Sequence, residues 1–229
     1  MRFKKFVKSC KSRVYNLKIT SCPFRVSSTF RIENNFKMTK ILQFFETKPI
    51  SGNNPNNLVI FLHGYGSNGK DLLSLSHEFS KILPNAYFIS PNAPFEFENP
   101  VINYGYQWFS MINTKPDIIY PQIIKANNIL DQFIKSQLKR FTLQYKNLIL
   151  IGFSQGSMMA MYNSLRSKKK AAGIISYSGK LVLPTDLSEE INSKPEICWI
   201  HGKNDMVVPF ENMVKGELFL KKLGIPCET

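Results

Sequence analysis

The sequence predicts an α/β fold built on an open, doubly wound and mostly parallel β-sheet. Short apolar runs, which are typical of strands buried on both faces, recur along the chain from residue 58 onward. Between them lie longer segments in which apolar residues return every three or four positions, the period of a helix. Strands that alternate with helices favour parallel pairing, right-handed crossovers and helices on both faces of the sheet.

The elements follow one another in a regular order. An edge strand is predicted over Ile41–Thr47, and further strands over Leu58–Leu62, Ala86–Ser90, Leu148–Ile151, Gly173–Ser178 and Ile197–His201. Helices are predicted over Asp71–Leu83, Ile118–Phe141, Ser154–Leu165 and Pro209–Leu223. Residues 91–116 form a loop rich in Pro, Asn and aromatic residues, which is longer than a compact domain needs unless it serves a site. In sheets of this kind the site gathers at the carboxyl ends of the strands.

Composition bounds the class of protein. A length of 229 residues with 43% hydrophobic residues suits one domain with a sizeable core, and no run of 18 apolar residues is present to span a bilayer as a helix. The four cysteines are scattered and form no Cys-x-x-Cys pair: Cys10, Cys22, Cys198 and Cys227. We therefore expect neither a disulfide framework nor a structural zinc site, and a reducing, cytoplasmic location.

The net charge of +14 is unevenly distributed. Residues 1–37 hold ten basic residues and one acidic residue, whereas residues 38–229 hold 20 basic and 15 acidic residues. We divide the chain accordingly into a basic, disordered head over residues 1–37 and a folded domain over residues 38–229. The head has three interpretations: a misplaced start with translation beginning at Met38, which we favour, then a basic tail, or an organellar transit peptide.

The folded part shows one dense cluster of basic residues, Lys168, Lys169 and Lys170. Cations suit the carboxyl end of a helix, and this run follows a predicted helix, so we interpret the cluster as a solvated helix end. Nucleic-acid binding needs a basic patch on a folded face, and the sequence predicts none here. We expect no nucleic-acid partner and no stable membrane insertion.

A Gly-x-Ser-x-Gly segment stands directly between a predicted strand and a predicted helix. It reads Gly152-Phe153-Ser154-Gln155-Gly156. A serine in such a strained turn is exposed at the tip of the sheet, and its close neighbours need to lack a Cβ atom. The amino end of the following helix places backbone N–H groups beside any negative charge that develops. The segment therefore predicts a nucleophilic serine, Ser154.

Two other loops at the same edge of the sheet supply the partners that a nucleophilic serine needs. His63-Gly64-Tyr65-Gly66 follows one strand, and we assign the oxyanion hole to the backbone N–H groups of Tyr65 and Gln155. Asp205 follows the strand at residues 197–201, where a carboxylate can orient an imidazole. Asp205 is the candidate acid of a triad in the order Ser, Asp, His.

Five segments of the chain match a known family in order: Leu62-His63-Gly64-Tyr65-Gly66, Ser90-Pro91-Asn92-Ala93-Pro94, Gln107-Trp108-Phe109, Gly152-Phe153-Ser154-Gln155-Gly156 and His201-Gly202-Lys203-Asn204-Asp205-Met206-Val207-Val208-Pro209. With them the chain resembles the phospholipase/carboxylesterase family, which includes the acyl-protein thioesterases. The resemblance implies an α/β-hydrolase fold and hydrolysis of esters or thioesters through an acyl-enzyme on Ser154. It also implies that the loop at residues 91–111 shapes an acyl-binding surface. A small departure is Ser157, where the family usually has glycine.

The larger departure is a missing base. The resemblance implies a catalytic histidine a few dozen residues after the aspartate, but the 24 residues that follow Asp205 include none. His63 is expected to brace its loop, His77 to lie in solvent, and His201 to occupy a position that is not the base. We therefore expect a C-terminally truncated domain without a catalytic histidine that lacks its last strand and helix, since the chain stops at residues 224–229, where that strand would be starting. A hydroxyl is a poor nucleophile without a base, so little or no esterase activity is expected.

Two classes of function follow from these observations. The first is a serine hydrolase that acts on a small-molecule ester or thioester with an apolar acyl group and needs no metal or other cofactor. The alternative is an inactive fragment or an acyl-group-binding pseudoenzyme. Nucleic-acid binding through the head is a third and less favoured hypothesis, which a steep salt dependence of binding would support.

Overall fold

The computed structural model describes residues 42–99, 104–182 and 187–229, and within them it shows one seven-stranded sheet flanked by helices. The strands of this sheet are β1 (Phe44–Thr47), β2 (Asn57–Leu62), β3 (Ala86–Pro91), β6 (Leu148–Phe153), β7 (Gly173–Tyr177), β8 (Ile197–Ile200) and β9 (Cys227–Glu228). Their order is β1-β3-β2-β6-β7-β8-β9. Strand β1 runs antiparallel to β3, and every other pair in the sheet is parallel. The predicted α/β class with a mostly parallel, doubly wound sheet is confirmed.

The continuous apolar runs form strands because both faces of the sheet are covered. Leu58, Ile60 and Leu62 point into one hydrophobic cluster, whereas Val59 and Phe61 point into a second cluster on the opposite face. All five side chains are fully buried. A strand with two buried faces has no polar alternation, and this is what the sequence shows.

Six helices lie between the strands of the described residues: α1 (Gly69–Leu73), α2 (Ser76–Ser80), α3 (Pro116–Arg140), α4 (Gln155–Arg166), α5 (Leu187–Glu190) and α6 (Glu211–Lys222). The single helix predicted over residues 71–83 is wrong, because two short helices take its place. The break falls at Ser74, whose hydroxyl donates a hydrogen bond to the carbonyl of Asp71 at 2.7 Å. A serine that bonds to the preceding turn competes with the helical ladder.

The long loop before α3 contains a small two-stranded sheet that is not predicted from its sequence. Strands β4 (Phe95–Glu96) and β5 (Tyr106–Gln107) pair antiparallel. An isolated bridge joins Ser67 to Tyr106, so the loop is tied to the segment that follows β2. The loop is therefore structured against the edge of the sheet where the strands end.

The two edges of the main sheet are both short strands. The predicted edge strand is confirmed as β1. The expected loss of the last strand is not confirmed, because the two-residue β9 pairs with β8. The predicted head over residues 1–37 and the candidate start at Met38 lie outside the described residues. In the described part of the chain, no helix combines the length and the apolar character needed to cross a membrane.

Candidate active site

Ser154 lies in a sharp turn between a strand and a helix. Strand β6 ends at Phe153 and helix α4 begins at Gln155, and Ser154 between them has φ 51° and ψ −116°. A positive φ is unfavourable for a residue with a side chain, so neighbouring contacts must hold this conformation. One of them is the hydrogen bond from the Ser154 N–H to the carbonyl of Tyr177, at 2.8 Å. The turn leaves the serine side chain half-buried at the tip of the strand.

The glycines of this segment are required by close backbone contacts. A Cβ atom on Gly152 would lie 2.4 Å from the Cα atom of Ser157, and a Cβ atom on Gly156 would lie 2.0 Å from the carbonyl oxygen of Leu62. Backbone atoms cannot move away from such contacts as the end of a side chain can. The Gly-x-Ser-x-Gly pattern is thus explained by packing of α4 against its own strand and against β2.

The loop that follows β2 packs directly on the Ser154 turn. The position of a Cβ atom on Gly64 is 3.1 Å from the ring of Phe153. Among the described residues, the next residue, Tyr65, has no acceptor for its backbone N–H. The N–H of Gln155 belongs to the first turn of α4, where N–H groups have no partner within the helix. Both N–H groups proposed for an oxyanion hole thus lie on segments that face each other.

The side chain of Gln155 joins this turn to the long loop. Its Oε1 accepts a hydrogen bond from the N–H of Trp108, and its Nε2 donates one to the carbonyl of Phe109, both at 2.8 Å. The side chain is buried, and so are both of its partners. The indole Nε1 of Trp108 in turn donates to the carbonyl of His63 at 3.0 Å. The sequence indicates a role only for the backbone of Gln155, and no pattern in it predicts this bridge.

His63 braces the same loop. Its Nδ1 is 2.8 Å from the carbonyl oxygen of Gly64 and its Nε2 accepts from the N–H of Ala93 at 2.9 Å, so Nδ1 is the nitrogen that carries the proton. Burial lowers the pKa of His63 to about 4, although the bond to Gly64 acts in the opposite direction. The ring is neutral at pH 7 and both nitrogens are engaged. The expected bracing role of His63 is confirmed.

The side chain of Tyr65 ties its loop to the far end of the long loop. Its hydroxyl donates to Oε1 of Glu98 at 2.5 Å, and the same oxygen accepts from the N–H of Met111 at 2.8 Å. Burial and the neighbouring Glu98 raise the pKa of Tyr65 to about 12. Burial alone would raise the pKa of Glu98, but the hydrogen bonds donated by Tyr65, Ser110 and Met111 outweigh it and bring the value down to about 2. Glu98 is therefore a carboxylate that accepts bonds from both loops.

Asp205 lies in the loop after β8 and is held there mainly by its own loop. Its Oδ1 accepts from the N–H groups of Val207 and Val208, each at 2.9 Å. Burial would raise the pKa of Asp205, but these two bonds and one from the hydroxyl of Ser178 lower it overall. The carboxylate is thus ionised at neutral pH.

The end of β7 connects Asp205 with Ser154. The carbonyl of Tyr177 accepts from the N–H of Ser154, and the next residue, Ser178, bonds to the carboxylate of Asp205. The structure therefore brings the predicted serine and the predicted acid to adjacent positions along one strand end. Ser178 has φ 48°, which indicates that this turn is also strained. Sequence analysis treated residue 178 as the end of a strand, and no pattern in the sequence identifies its contact with Asp205.

The remaining histidines are engaged away from Ser154. The side chain of His77 is 78% exposed on α2, with Nε2 3.9 Å from Glu78, as expected for a solvated residue. The side chain of His201 is fully buried, and its Nε2 lies 2.6 Å from the carbonyl oxygen of Val208. The Nε2 is also 3.6 Å from Oδ2 of Asp205, whereas Nδ1 is buried without a hydrogen-bond partner. His201 supports the Asp205 loop from beneath.

The departure at Ser157 is accommodated by its surroundings. Its hydroxyl is buried and forms a hydrogen bond with the hydroxyl of Ser176 on β7. Gly179 provides the space, because a Cβ atom there would lie 2.2 Å from the Ser157 Oγ. The substitution of serine for glycine after the Ser154 turn thus leaves no unsatisfied polar group at Oγ.

Apolar side chains and a cleft surround the loops of the site. Phe153, Met111 and Ile112 are exposed by 38%, 39% and 77%, respectively. A cleft of about 710 Å³ borders the long loop and is lined by Phe97, Tyr104 and Tyr106 together with a majority of polar and charged residues. The described residues contain no group of three or more His, Cys, Asp or Glu side chains arranged to hold a metal ion. The exposed apolar side chains of the long loop therefore include Tyr104, Met111 and Ile112.

Comparison with known proteins gives consistent matches over most of the chain. A model of the phospholipase/carboxylesterase family matches residues 50–229. The acyl-protein thioesterase 1 homolog 1 of Dictyostelium discoideum is 29% identical over 158 residues, which cover 66% of this chain and 69% of the relative. The homolog 2 of the same organism is 31% identical over 183 residues, covering 73% and 78%. The crystal structure of esterase PE8 is similar with a TM-score of 0.76 and 36% identity, covering 82% of this chain and 87% of that one.

Proposed function

The chain belongs to the phospholipase/carboxylesterase family of serine hydrolases, and we propose that its site binds a small ester or thioester with an apolar acyl group and transfers the acyl group to Ser154. The observation that carries this proposal is the conformation of Ser154, a serine held at φ 51° between β6 and α4 with the Tyr65 loop packed against it. A strained serine at a strand end is the arrangement that a nucleophile requires.

The electrostatic part of the mechanism falls to two backbone groups. When the hydroxyl oxygen of Ser154 attacks the carbonyl carbon, negative charge develops on the carbonyl oxygen. The N–H groups of Tyr65 and Gln155 are proposed to donate to that oxygen, and donors of this kind are worth about 3 kcal/mol each in the transition state. Their rigid support by buried hydrogen bonds favours this role, because fixed donors need no reorganisation during the reaction.

The proton of Ser154 needs an acceptor that this sequence does not supply. Asp205 is proposed as the acid that orients an imidazole, but His63 and His201 are held by buried contacts and His77 is exposed on α2. Loss of the histidine from a serine protease costs roughly 10⁶-fold in turnover, while the oxyanion hole still leaves about 10³-fold over water. We therefore propose that the 229-residue chain forms the site but turns over esters slowly.

The test uses added imidazole as the base. Hydrolysis of p-nitrophenyl butyrate by the purified chain should be slow, and 50–100 mM imidazole should increase the rate at least about tenfold, since a base near Ser154 restores general-base catalysis. The matched control is Ser154→Ala, which should show only the reaction of imidazole with free ester. The Ser154 assignment would be wrong if that variant retained the full imidazole-dependent rate, and fast hydrolysis without imidazole would overturn the claim of a missing base.

The second candidate function, binding without turnover, is favoured by the same positions of the three histidines, two held in buried contacts and one exposed on α2. A fluorescent acyl-amide analogue, which cannot be hydrolysed, should then bind with saturation while imidazole produces no Ser154-dependent hydrolysis. Covalent labelling of Ser154 by a fluorophosphonate separates the two functions, because labelling requires a reactive hydroxyl. A reducing, cytoplasmic location, which the scattered cysteines favour, and a reaction that needs no cofactor are parts of the same proposal.

A further inference from the structure

A second cleft lies at the amino ends of the strands, the end of the sheet opposite to Ser154. It has a volume of about 540 Å³ and is formed by the last turns of α3, the short 3₁₀ turn that precedes β6, and the segment that leads into β7. Ser154 follows the carboxyl end of β6, whereas this cleft adjoins the amino ends of β6 and β7. Strand β6 has six residues, so its two ends are about 20 Å apart.

Five lysines from three separate segments line this cleft: Lys135, Lys139, Lys146, Lys169 and Lys170. These are a quarter of the 20 basic residues in residues 38–229. In the sequence only the run at 168–170 stands out, and its position predicts a solvated helix end. Favourable interaction with a helix carboxyl end explains Lys139 on α3, but it does not explain why Lys146 and Lys170 converge on the same cleft.

Most of this charge is not neutralised within the described part of the chain. Lys135 forms an ion pair with Asp131 at 2.5 Å. Lys169 lies 5.9 Å from the centre of the Tyr145 ring, a weak cation–π contact. In residues 42–99, 104–182 and 187–229, no carboxylate forms an ion pair with Lys139, Lys146 or Lys170.

The floor of the cleft is apolar and fixed. Leu138 and Tyr145 are buried, and the hydroxyl of Tyr145 donates to Oδ1 of Asp131 at 3.2 Å. Asp131 is thus already engaged by two neighbours. A low-dielectric floor beneath several ammonium groups strengthens their attraction for an anion in the cleft.

We propose that this lysine cleft is a binding site for a soluble molecule that carries several phosphate groups. Lysine is a good phosphate ligand because its ammonium group acts as a point charge with three donors. Several lysines therefore suit a ligand that carries several phosphates better than a ligand that carries one carboxylate. A bilayer bound at this end of the sheet would hold Ser154 on the side away from the lipid, which favours a soluble anion over a membrane surface. The buried ring of Tyr145 leaves no exposed face for a base to stack on, so the phosphates are the recognised part.

The experiment titrates the full 229-residue chain with inorganic tripolyphosphate in 150 mM NaCl by calorimetry. Saturable binding to one site is expected. The double variant Lys139→Gln/Lys170→Gln should bind about tenfold more weakly, because two unpaired charges of the cleft are removed. The matched control is Lys215→Gln/Lys222→Gln on α6, which removes the same charge from two exposed lysines and should change affinity less than twofold.

Hydrogen exchange locates the site independently of affinity. Tripolyphosphate should slow exchange at residues 138–146 and 168–172. The proposal is overturned if both double variants lose tripolyphosphate affinity equally, or if protection from exchange is confined to other segments. Either result would show that binding is driven by net charge or by the basic head. It is also overturned if tripolyphosphate does not bind while vesicles that contain phosphatidylinositol bisphosphate capture the chain through the same lysines.

Discussion

The loop that carries Tyr65 and the loop that carries Asp205 flank Ser154 on either side of β6, but they are held by different kinds of bonds. On the Tyr65 side, buried hydrogen bonds join residues that are 30 to 47 positions apart in the chain. On the Asp205 side, the bonds to Val207 and Val208 span two and three positions, and the side chain of Val207 is 84% exposed.

The difference follows from what each side is proposed to do. Stabilising an oxyanion requires donors whose directions are fixed before the charge appears, and only long-range, buried bonds fix a loop in this way. An acid that orients a ring needs only a stable carboxylate, which two local N–H groups can provide. We therefore expect substitutions on the Tyr65 side to affect folding and substitutions on the Asp205 side to affect mainly ionisation.

The largest effect is expected for Gln155→Ala. The substitution leaves the N–H of Trp108 and the carbonyl of Phe109 buried without partners, which should lower the free energy of unfolding by about 2–5 kcal/mol. Urea denaturation measures the change. Gln122→Ala is the control, because it removes a single half-buried bond to the N–H of Ser110 and should cost about 1 kcal/mol. Equal costs for the two variants would contradict the contrast between the two sides.

A smaller effect is expected from the titration of His63. Its folded-state pKa of about 4 lies below the ordinary value of 6.5, so the unfolded chain binds the proton first. The stability that the neutral ring provides is complete above pH 6.5 and is lost as the pH falls towards 4. Between pH 7 and pH 5 this loss should amount to about 2 kcal/mol.

Urea denaturation at the two pH values measures this loss, and the His77→Asn variant should show the same loss because His77 is solvated. An NMR titration of the His63 ring in the unaltered chain provides a second measurement that needs no variant. A midpoint near 6.5 in that titration would show that the loop is open to water and would remove the distinction between the two sides.

The smallest effect is expected for Ser178→Ala on the Asp205 side. Loss of the hydroxyl donor should raise the pKa of the Asp205 carboxylate, because one bond to its charged form disappears. The free energy of unfolding should change by less than about 1 kcal/mol, since the two backbone donors remain. A carbon-detected carboxylate titration measures the first quantity and urea denaturation the second. A cost as large as that of Gln155→Ala would show that the Asp205 loop is also part of the buried framework.

The sequence predicted those parts of the fold that depend on local patterns. The run Leu58–Leu62 identifies a strand because both faces of that strand are buried, and Ser154 is recognised because its turn requires glycines at fixed offsets. Strands β4 and β5 could not be predicted, since two residues each are too few to show a period. The break at Ser74 depends on one side-chain bond that competes with the helix.

The contacts that support the site could not be predicted for a different reason. Gln155 and Trp108 are 47 positions apart, and nothing in either segment specifies the other. The convergence of Lys139, Lys146 and Lys170 likewise appears only once the end of α3, the 3₁₀ turn and the segment before β7 line one cleft. A reactive residue within a local motif can be recognised in the sequence. The contacts that support it, and the clustering of charges from distant segments, depend on tertiary structure.

The contacts of the glycines also determine how freely the site can vary in sequence. A Cβ atom on Gly156 would lie 2.0 Å from the carbonyl oxygen of Leu62 on β2, whereas a Cβ atom on Gly202, in the loop before Asp205, would have nothing within 4 Å. Random mutagenesis of the gene should therefore recover many residue types at codon 202 and glycine alone at codon 156. The tight backbone contact thus limits the serine turn to glycine at position 156, whereas the aspartate loop has room for a side chain at position 202.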